Sequence, residues 1–314
     1  HPNGQILWIY QIGGIGNEFS YEIQTDESNN VYVLGIFSDS VDFDEGTGIS
    51  GHGSASTGYD IFLLKIDSAG IFQWVKTIGE YGDDRGLGLA IDKGKNIFIT
   101  GMFSGTVDLD PGIGVAQHIS AGSMDFYVMM LDSTGSYQWS HSFGNSQSDI
   151  GQAIALDTSG NCIITGSFRG TVDFDPGPSV SSLTSVSSSS DAYFAMYDVN
   201  GDFIWAKRVG HNGSERGYDV TVDGNNEIVL TGNFFGTVNF NPGGTARNLI
   251  SKGGSDAFIA KYSASGLNQW AVSIGGSSAD AGQSLTSDNR GFIYATGFFS
   301  DTCDFNPGNS MDTR

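Results

Sequence analysis

Basic residues, cysteine and proline are all scarce in this chain of 314 residues. Lys and Arg number 14 against 35 Asp and Glu, which gives a formal charge of -21 and an isoelectric point near 4.2. A surface of that sign repels the phosphate backbone of nucleic acid and the anionic face of a membrane, so neither is expected as a partner. No apolar run approaches the roughly 18 residues that a membrane helix requires, and no membrane insertion is expected. The opening "HPNGQ" has neither an initiator Met nor a signal-peptide pattern, which reads as a mature chain or an excerpt of a larger protein. The two cysteines, Cys162 and Cys303, fall at different places in the repeat described below. They read as buried thiols standing where other copies carry Ile or Val, not as a disulfide framework.

Enzyme signatures are equally thin. The five histidines, His1, His52, His118, His141 and His211, occupy unrelated positions, and no H-E-x-x-H or C-x-x-C occurs, so no zinc site is expected. There is no G-x-S-x-G. The phrase "GLGLAID" lies in a strand with no helix after it and cannot serve as a dinucleotide loop. The chain is therefore expected not to be an enzyme and to require no cofactor.

Glycine, by contrast, is plentiful at 46 residues, and 39% of the chain is hydrophobic, enough for a large core. Short β-branched and aromatic runs alternate with turn clusters, the mark of an all-β chain. The runs repeat. Trp8, Trp74, Trp139, Trp205 and Trp270 lie 66, 65, 66 and 65 residues apart. The phrase "GTVDFDPG" at Gly170 to Gly177 returns as "DSVDFDEG", "GTVDLDPG", "GTVNFNPG" and "DTCDFNPG" at the same spacing. A third series, Glu18, Asp84, Asp149, Glu215 and Asp280, keeps step with it.

Each period contains four strand-like segments. In the second copy these are "RGLGLAID", then "NIFITGMFSGTVDLD" interrupted at Ser104-Gly105, then "DFYVMMLD", then "SYQWSHSFG" after the tight turn "DSTG". Four antiparallel strands at constant spacing describe the blade of a β-propeller, with the small-residue first strand innermost. WD-type and kelch blades run about 40 to 50 residues, so five repeats of about 65 imply a long excursion after each Pro-Gly turn. The repeat units are taken as residues 1–59, 60–124, 125–190, 191–255 and 256–314 of a single domain, 1–314. Only four third strands can be counted, so sequence outside the chain is expected to complete the ring, more readily after Arg314 than before His1.

The stretches "GNCIITGSFRGTVDFDPG" and "GGSDAFIAKYSASGLNQWAVSIGG", with the intervening D-x-G loop, resemble the SBBP-type β-propeller repeats of secreted and surface proteins of Bacteroidota. That resemblance covers the whole chain. It implies an extracellular or cell-surface propeller, often one module of a much larger exported protein, and no single enzymatic activity.

The Asx-x-Asx phrase invites a calcium site, since alternate strand residues share a face: Asp42 with Asp44, Asp108 with Asp110 and Asp173 with Asp175. A structural reading competes with it, because Asn239 and Asn241 keep the acceptor oxygen while losing both charges. The third acidic series would satisfy free amides in its Gly-rich loop, with Arg85 and Arg216 as local partners, or form an acidic rim. The tryptophans are read as core between blades rather than sugar platforms, and Tyr59, Tyr81 and Phe235 as better lectin candidates. "NGS" at Asn212 and the "DS" turns at Asp39, Asp67 and Asp132 are weak modification signals. The whole reads as a non-catalytic extracellular binding, adhesion or spacer module whose partner is a protein, a glycan or another domain of the same large protein. The alternatives are a polysaccharide hydrolase with carboxylates in a central funnel and a calcium-stabilised lectin.

Overall fold

A computed structural model describes residues 5–44, 46, 48–55, 58–288 and 290–306. Among the described residues there is no helix, and the strands assemble into repeated four-stranded antiparallel sheets, as expected of β-propeller blades. Two compact units are distinguished, His1–Ser120 with Tyr127–Ser140, and Ala121–Phe126 with His141–Arg314.

The first unit holds a blade made of Glu18–Thr25, Val31–Phe37, Asp60–Ile66 and Phe72–Ile78, hydrogen-bonded in that order. The next blade follows the same order through Arg85–Ile91, Ile97–Phe103, Asp125–Leu131 and Tyr137–Phe143. The second unit repeats it with Ile150–Leu156, Cys162–Phe168, Asp191–Tyr197 and Phe203–Val209. Its second blade is Arg216–Val222, Ile228–Asn239, Asn248–Tyr262 and Asn268–Gly276. Last comes a two-stranded sheet, Ala281–Ser287 with Ile293–Phe298.

Second and third strands are buried on both faces, which is why "IFITGMF" and "DFYVMML" are nearly continuous apolar runs rather than alternating ones. Every pairing of a first with a second strand carries a register shift at one equivalent place, for example between Gly151 and Ala153 and between Gly217 and Asp219. Such bulges strengthen local twist. Within the second unit the glycine there also allows close approach. A Cβ at Gly217 or Gly282 would meet the hydroxyl of Thr165 or Thr231 of the preceding blade at 2.1 or 2.0 Å. First strands therefore pack closely on the blade before.

The tryptophans lie elsewhere than the sealed core. All five are half-buried. The Trp8 indole N–H donates to the carbonyl of Ser68 at 3.3 Å, and that of Trp205 to Ala264 at 3.2 Å, each in the turn joining third and fourth strands one repeat on. Gly135 of the equivalent turn lies under Trp74. These rings clasp the next blade's turn, while Trp74 and Trp205 also border the two main core clusters. The two cysteines are buried and unbridged, as expected.

Inside the second unit the aromatic residue of the repeated phrase, Phe174, is fully buried among Phe126, Phe143, Phe168 and Tyr193. Phe174→Ala is expected to lower stability in urea unfolding by about 3–5 kcal/mol, whereas Ile71→Ala, at an exposed turn, leaves the transition where it is.

Candidate functional site

In four copies the long excursion after the second strand is a short hairpin arm. Ser40–Asp42 pairs with Gly51–Gly53, Thr106–Asp108 with Gln117–Ile119, and Thr171–Asp173 with Ser182–Thr184. In the next copy the arm is continuous with the blade, Thr237 to Asn239 pairing with Asn248 to Ile250 inside longer strands. Gly105, Gly170 and Gly236, all at positive φ near +61° to +77°, let the chain swing from blade to arm.

The Asx pair builds the arm's tip. Asp173 Oδ1 accepts the amides of Asp175 at 3.2 Å and Ser181 at 2.8 Å, and Asp175 Oδ1 accepts that of Gly177 at 2.8 Å. Asp108 holds Asp110 and Ala116, and Asp110 holds Gly112. Asp42 holds Asp44 and Ser50, and Asp44 holds Gly46. The uncharged copy does the same, Asn239 Oδ1 accepting from Asn241 at 3.0 Å and Arg247 at 2.8 Å. Charge is thus unnecessary to the geometry. A calcium ion would need roughly six to eight oxygens. Among the described residues no three or more His, Cys, Asp or Glu side chains converge to supply them. Asp173→Asn is therefore expected to leave the melting temperature unchanged, with or without a chelator. Asp173→Ala, which strands two amides, should cost about 1 kcal/mol in the same measurement.

Four of the five members of the third acidic series are buried, not arranged as an exposed rim, and Glu18 is half-buried. Asp84, Asp149, Glu215 and Asp280 are at most 1% exposed. Asp149 accepts the amides of Asn145 and Arg169, each at 2.9 Å, and Asp280 those of Gly276 at 2.8 Å and Ser300 at 2.9 Å. Glu215 holds His211 and Phe235 in the same way. Asp149, Glu215 and Asp280 each tie the loop before the first strand to the end of the second, and Asp84 accepts the amide of Glu80 in that loop at 3.1 Å. The arginines beside them turn elsewhere. Arg85 pairs with Asp83 at 2.8 Å and Arg216 with Gln152.

A fourth acidic series was not singled out from the sequence: Asp60, Asp125 and Asp191, which open third strands, and Asp256, inside the longer strand Asn248–Tyr262. They recur 65 or 66 residues apart, the signal that could have found them. All are buried, and one oxygen of each accepts an amide just upstream, from Ala55, Ala121, Val186 and Lys252. The other oxygen of Asp60, Asp125 and Asp191 has no hydrogen-bond partner among the described residues. Burial pushes Asp60 up to about 6. Burial, with the neighbouring Asp60 and Asp83 charges, pushes Asp84 up to about 7. Asp149 rises to about 6 and Glu215 to about 7, again mainly through burial.

Such values suit a general acid, but these groups are enclosed, tied to amides and repeated in step, so they belong to the framework. Their proton is held more tightly in the folded chain than in the unfolded one. The stability they contribute is complete below pH about 4 and falls as the pH rises through 6 to 7. The melting temperature is expected to be lower at pH 8 than at pH 5, and Asp84→Asn to reduce that difference. A rise between those pH values would contradict the assignment.

What the arms leave exposed is aliphatic. Ile49 is 88% exposed and Val180 76%, and Ile113, Val115 and Ile250 are likewise turned to solvent. Tyr81 is exposed, while Tyr59 lies under the Arg85 guanidinium and Phe235 is at the border of exposure. His52, His118, His141 and His211 join no metal-binding group, and His1 lies outside the described residues.

The blades place the chain among all-β repeat proteins of the propeller class. A search of protein families finds no matching family model. The chain is 25% identical over 82% of its length to an uncharacterized WD repeat-containing protein, L264, of Acanthamoeba polyphaga mimivirus. It is also 25% identical over 65% of its length to the regulatory protein FlaEY of Caulobacter vibrioides. It spans only about a fifth of either relative, 22% and 21% of their lengths. This distant likeness supports a propeller repeat module.

Proposed function

We propose that this chain is a non-catalytic interaction module of a larger secreted or surface protein, in which rigid blades carry hairpin arms that contact a protein partner. The observation that carries the reading is the recurrence, on one framework, of arm tips with a fixed Asx turn and a variable exposed aliphatic residue. A constant base with a changing tip is the usual division of labour between scaffold and binding loop. Exposed Ile and Val on a strongly acidic surface favour a partner that buries apolar side chains, and so a protein before a glycan. The relatives' names, a WD-repeat protein and a regulatory protein, fit a module that acts by contact. The likeness of "GNCIITGSFRGTVDFDPG" to SBBP-type repeats of Bacteroidota supports a place outside the cell, and calcium has no required part.

The test is a photo-crosslinking residue placed at Ile113, in an arm, or at Ile71, in an exposed blade turn, in the protein made by its native cells. Crosslinked adducts at position 113 and not at 71, formed on intact cells with a membrane-impermeant reagent as control, are expected. Equal labelling at both positions, or adducts found only after lysis, would remove the arms or the location from the account.

A further inference from the structure

The four arm tips differ in a way that their shared geometry does not require. The amides of Phe43, Leu109, Phe174 and Phe240 donate to the carbonyls of Ser50, Ala116, Ser181 and Arg247, which sets the four tips in one register. The residue just before each of those carbonyls is Ile49, Val115, Val180 and Ala246 in turn. Ile49, Val115 and Val180 are 76% to 88% exposed. Three arms therefore hold a β-branched aliphatic side chain in water at the same position, and the fourth has only a methyl group there.

Charge divides the arms in the same way. No Lys or Arg occurs in residues 38–54, 104–120 or 170–186, which carry the pairs Asp42 and Asp44, Asp108 and Asp110, and Asp173 and Asp175. One oxygen of each carboxylate takes the tip amides. Among the described residues the other oxygen accepts no hydrogen bond, and none of the six enters an ion pair. Residues 236–252 reverse the pattern: they hold no Asp or Glu, Asn239 and Asn241 are neutral, and Arg247 is exposed. Asn241 even donates its side-chain amide to the carbonyl of Thr245 at 2.7 Å, which a carboxylate could not do.

Two uncommitted carboxylate oxygens per arm fall far short of the roughly six to eight that calcium takes. They suffice for a guanidinium, whose forked N–H groups pair with a single carboxylate. The aliphatic side chain beside them is stabilised only when apolar surface covers it. A fitting partner thus brings positive charge and apolar surface together.

We infer that the first three arms dock a basic, apolar polypeptide segment of the partner, in which Arg or Lys stands beside aliphatic side chains; this rests on the reading of the arms as contact elements. The segment's Arg or Lys pairs with the Asp carboxylates of an arm, and its aliphatic side chain covers Ile49, Val115 or Val180. The fourth arm, with Ala246 and Arg247 in place of an aliphatic residue and uncharged Asn in place of Asp, is the one such a segment avoids. The chain's charge of -21 draws the same partner in from a distance and speeds the encounter.

Titration of a short synthetic peptide of repeated Arg-Val-Gly into the isotopically labelled 314-residue protein, followed by the amide resonances, tests this arm by arm. Saturable shifts are expected at Ile49, Val115 and Val180, weakening as salt is added, and none at Ala246. Asp108→Asn with Asp110→Asn, the pair that the fourth arm carries naturally, should weaken binding at Val115 about fivefold, the worth of partly exposed ion pairs, and leave Ile49 and Val180 as they were. The converse variant, Asn239→Asp with Asn241→Asp, Ala246→Val and Arg247→Ser, should create binding at position 246. Equal shifts with repeated Arg-Ser-Gly or Glu-Val-Gly would overturn the proposal, because charge or apolar surface alone would then suffice. So would equal shifts at Ala246, or no shift at any arm. Crosslinking at Ile113 in cells with no response to the peptide would remove the basic partner and leave the arms as contact elements, so the two readings fail separately.

Discussion

A buried carboxylate accepting backbone amides from two segments, at Asp149, Glu215 and Asp280, is the interaction on which these repeats depend. Asp149 illustrates it: one oxygen takes the amide of Asn145 and the other that of Arg169, so the loop entering the first strand and the exit of the second are fixed by one side chain. Removing that carboxylate from water is costly, and the cost appears as a raised affinity for a proton. The chain accepts it because the alternative is buried amides with no partner in a glycine-rich loop that offers few side chains. With those loops set, the first strands pack closely, glycine against threonine hydroxyl, and the second and third strands are sealed between blades.

Polar residues that look like a site in one copy are thereby explained by their recurrence in others. Asp173 and the uncharged Asn239 accept equivalent pairs of amides, whereas Asp175 accepts that of Gly177 and Asn241 instead donates to the carbonyl of Thr245. What varies from copy to copy is what the fixed turns carry outward: Ile49, Ile113 and Val180 at the arm tips.

Much of this was legible from residues alone. The spacing of tryptophans and Asx phrases defined the repeat, and "DSTG" and its relatives marked the turns, where Asp132 and Asp67 cap two amides each. The all-β propeller class and the strand order within a blade followed from these. The arms were read only as loops, because three-residue strands such as Ser182–Thr184 inside a serine-rich run carry almost no periodic signal. The Asp60 series was passed over because an Asp at a strand start looks like an ordinary turn residue, and only its neighbours in space reveal it as buried. The tryptophans are expected between blades, and Trp74 and Trp205 do pack against the core clusters, while the indole N–H groups of Trp8 and Trp205 reach turn carbonyls at the blade's margin. Of the chemistry, the carboxylates' raised proton affinity was invisible, since its main cause is burial, which only the fold reveals.

The central claim is that the repeated carboxylates hold the backbone, and amide hydrogen exchange at Asp175 and Ser181 tests it most directly. Their amides end on Asp173. The account predicts slow exchange at both, equal in the presence of calcium and of a chelator. Protection that appears only when calcium is added would contradict it.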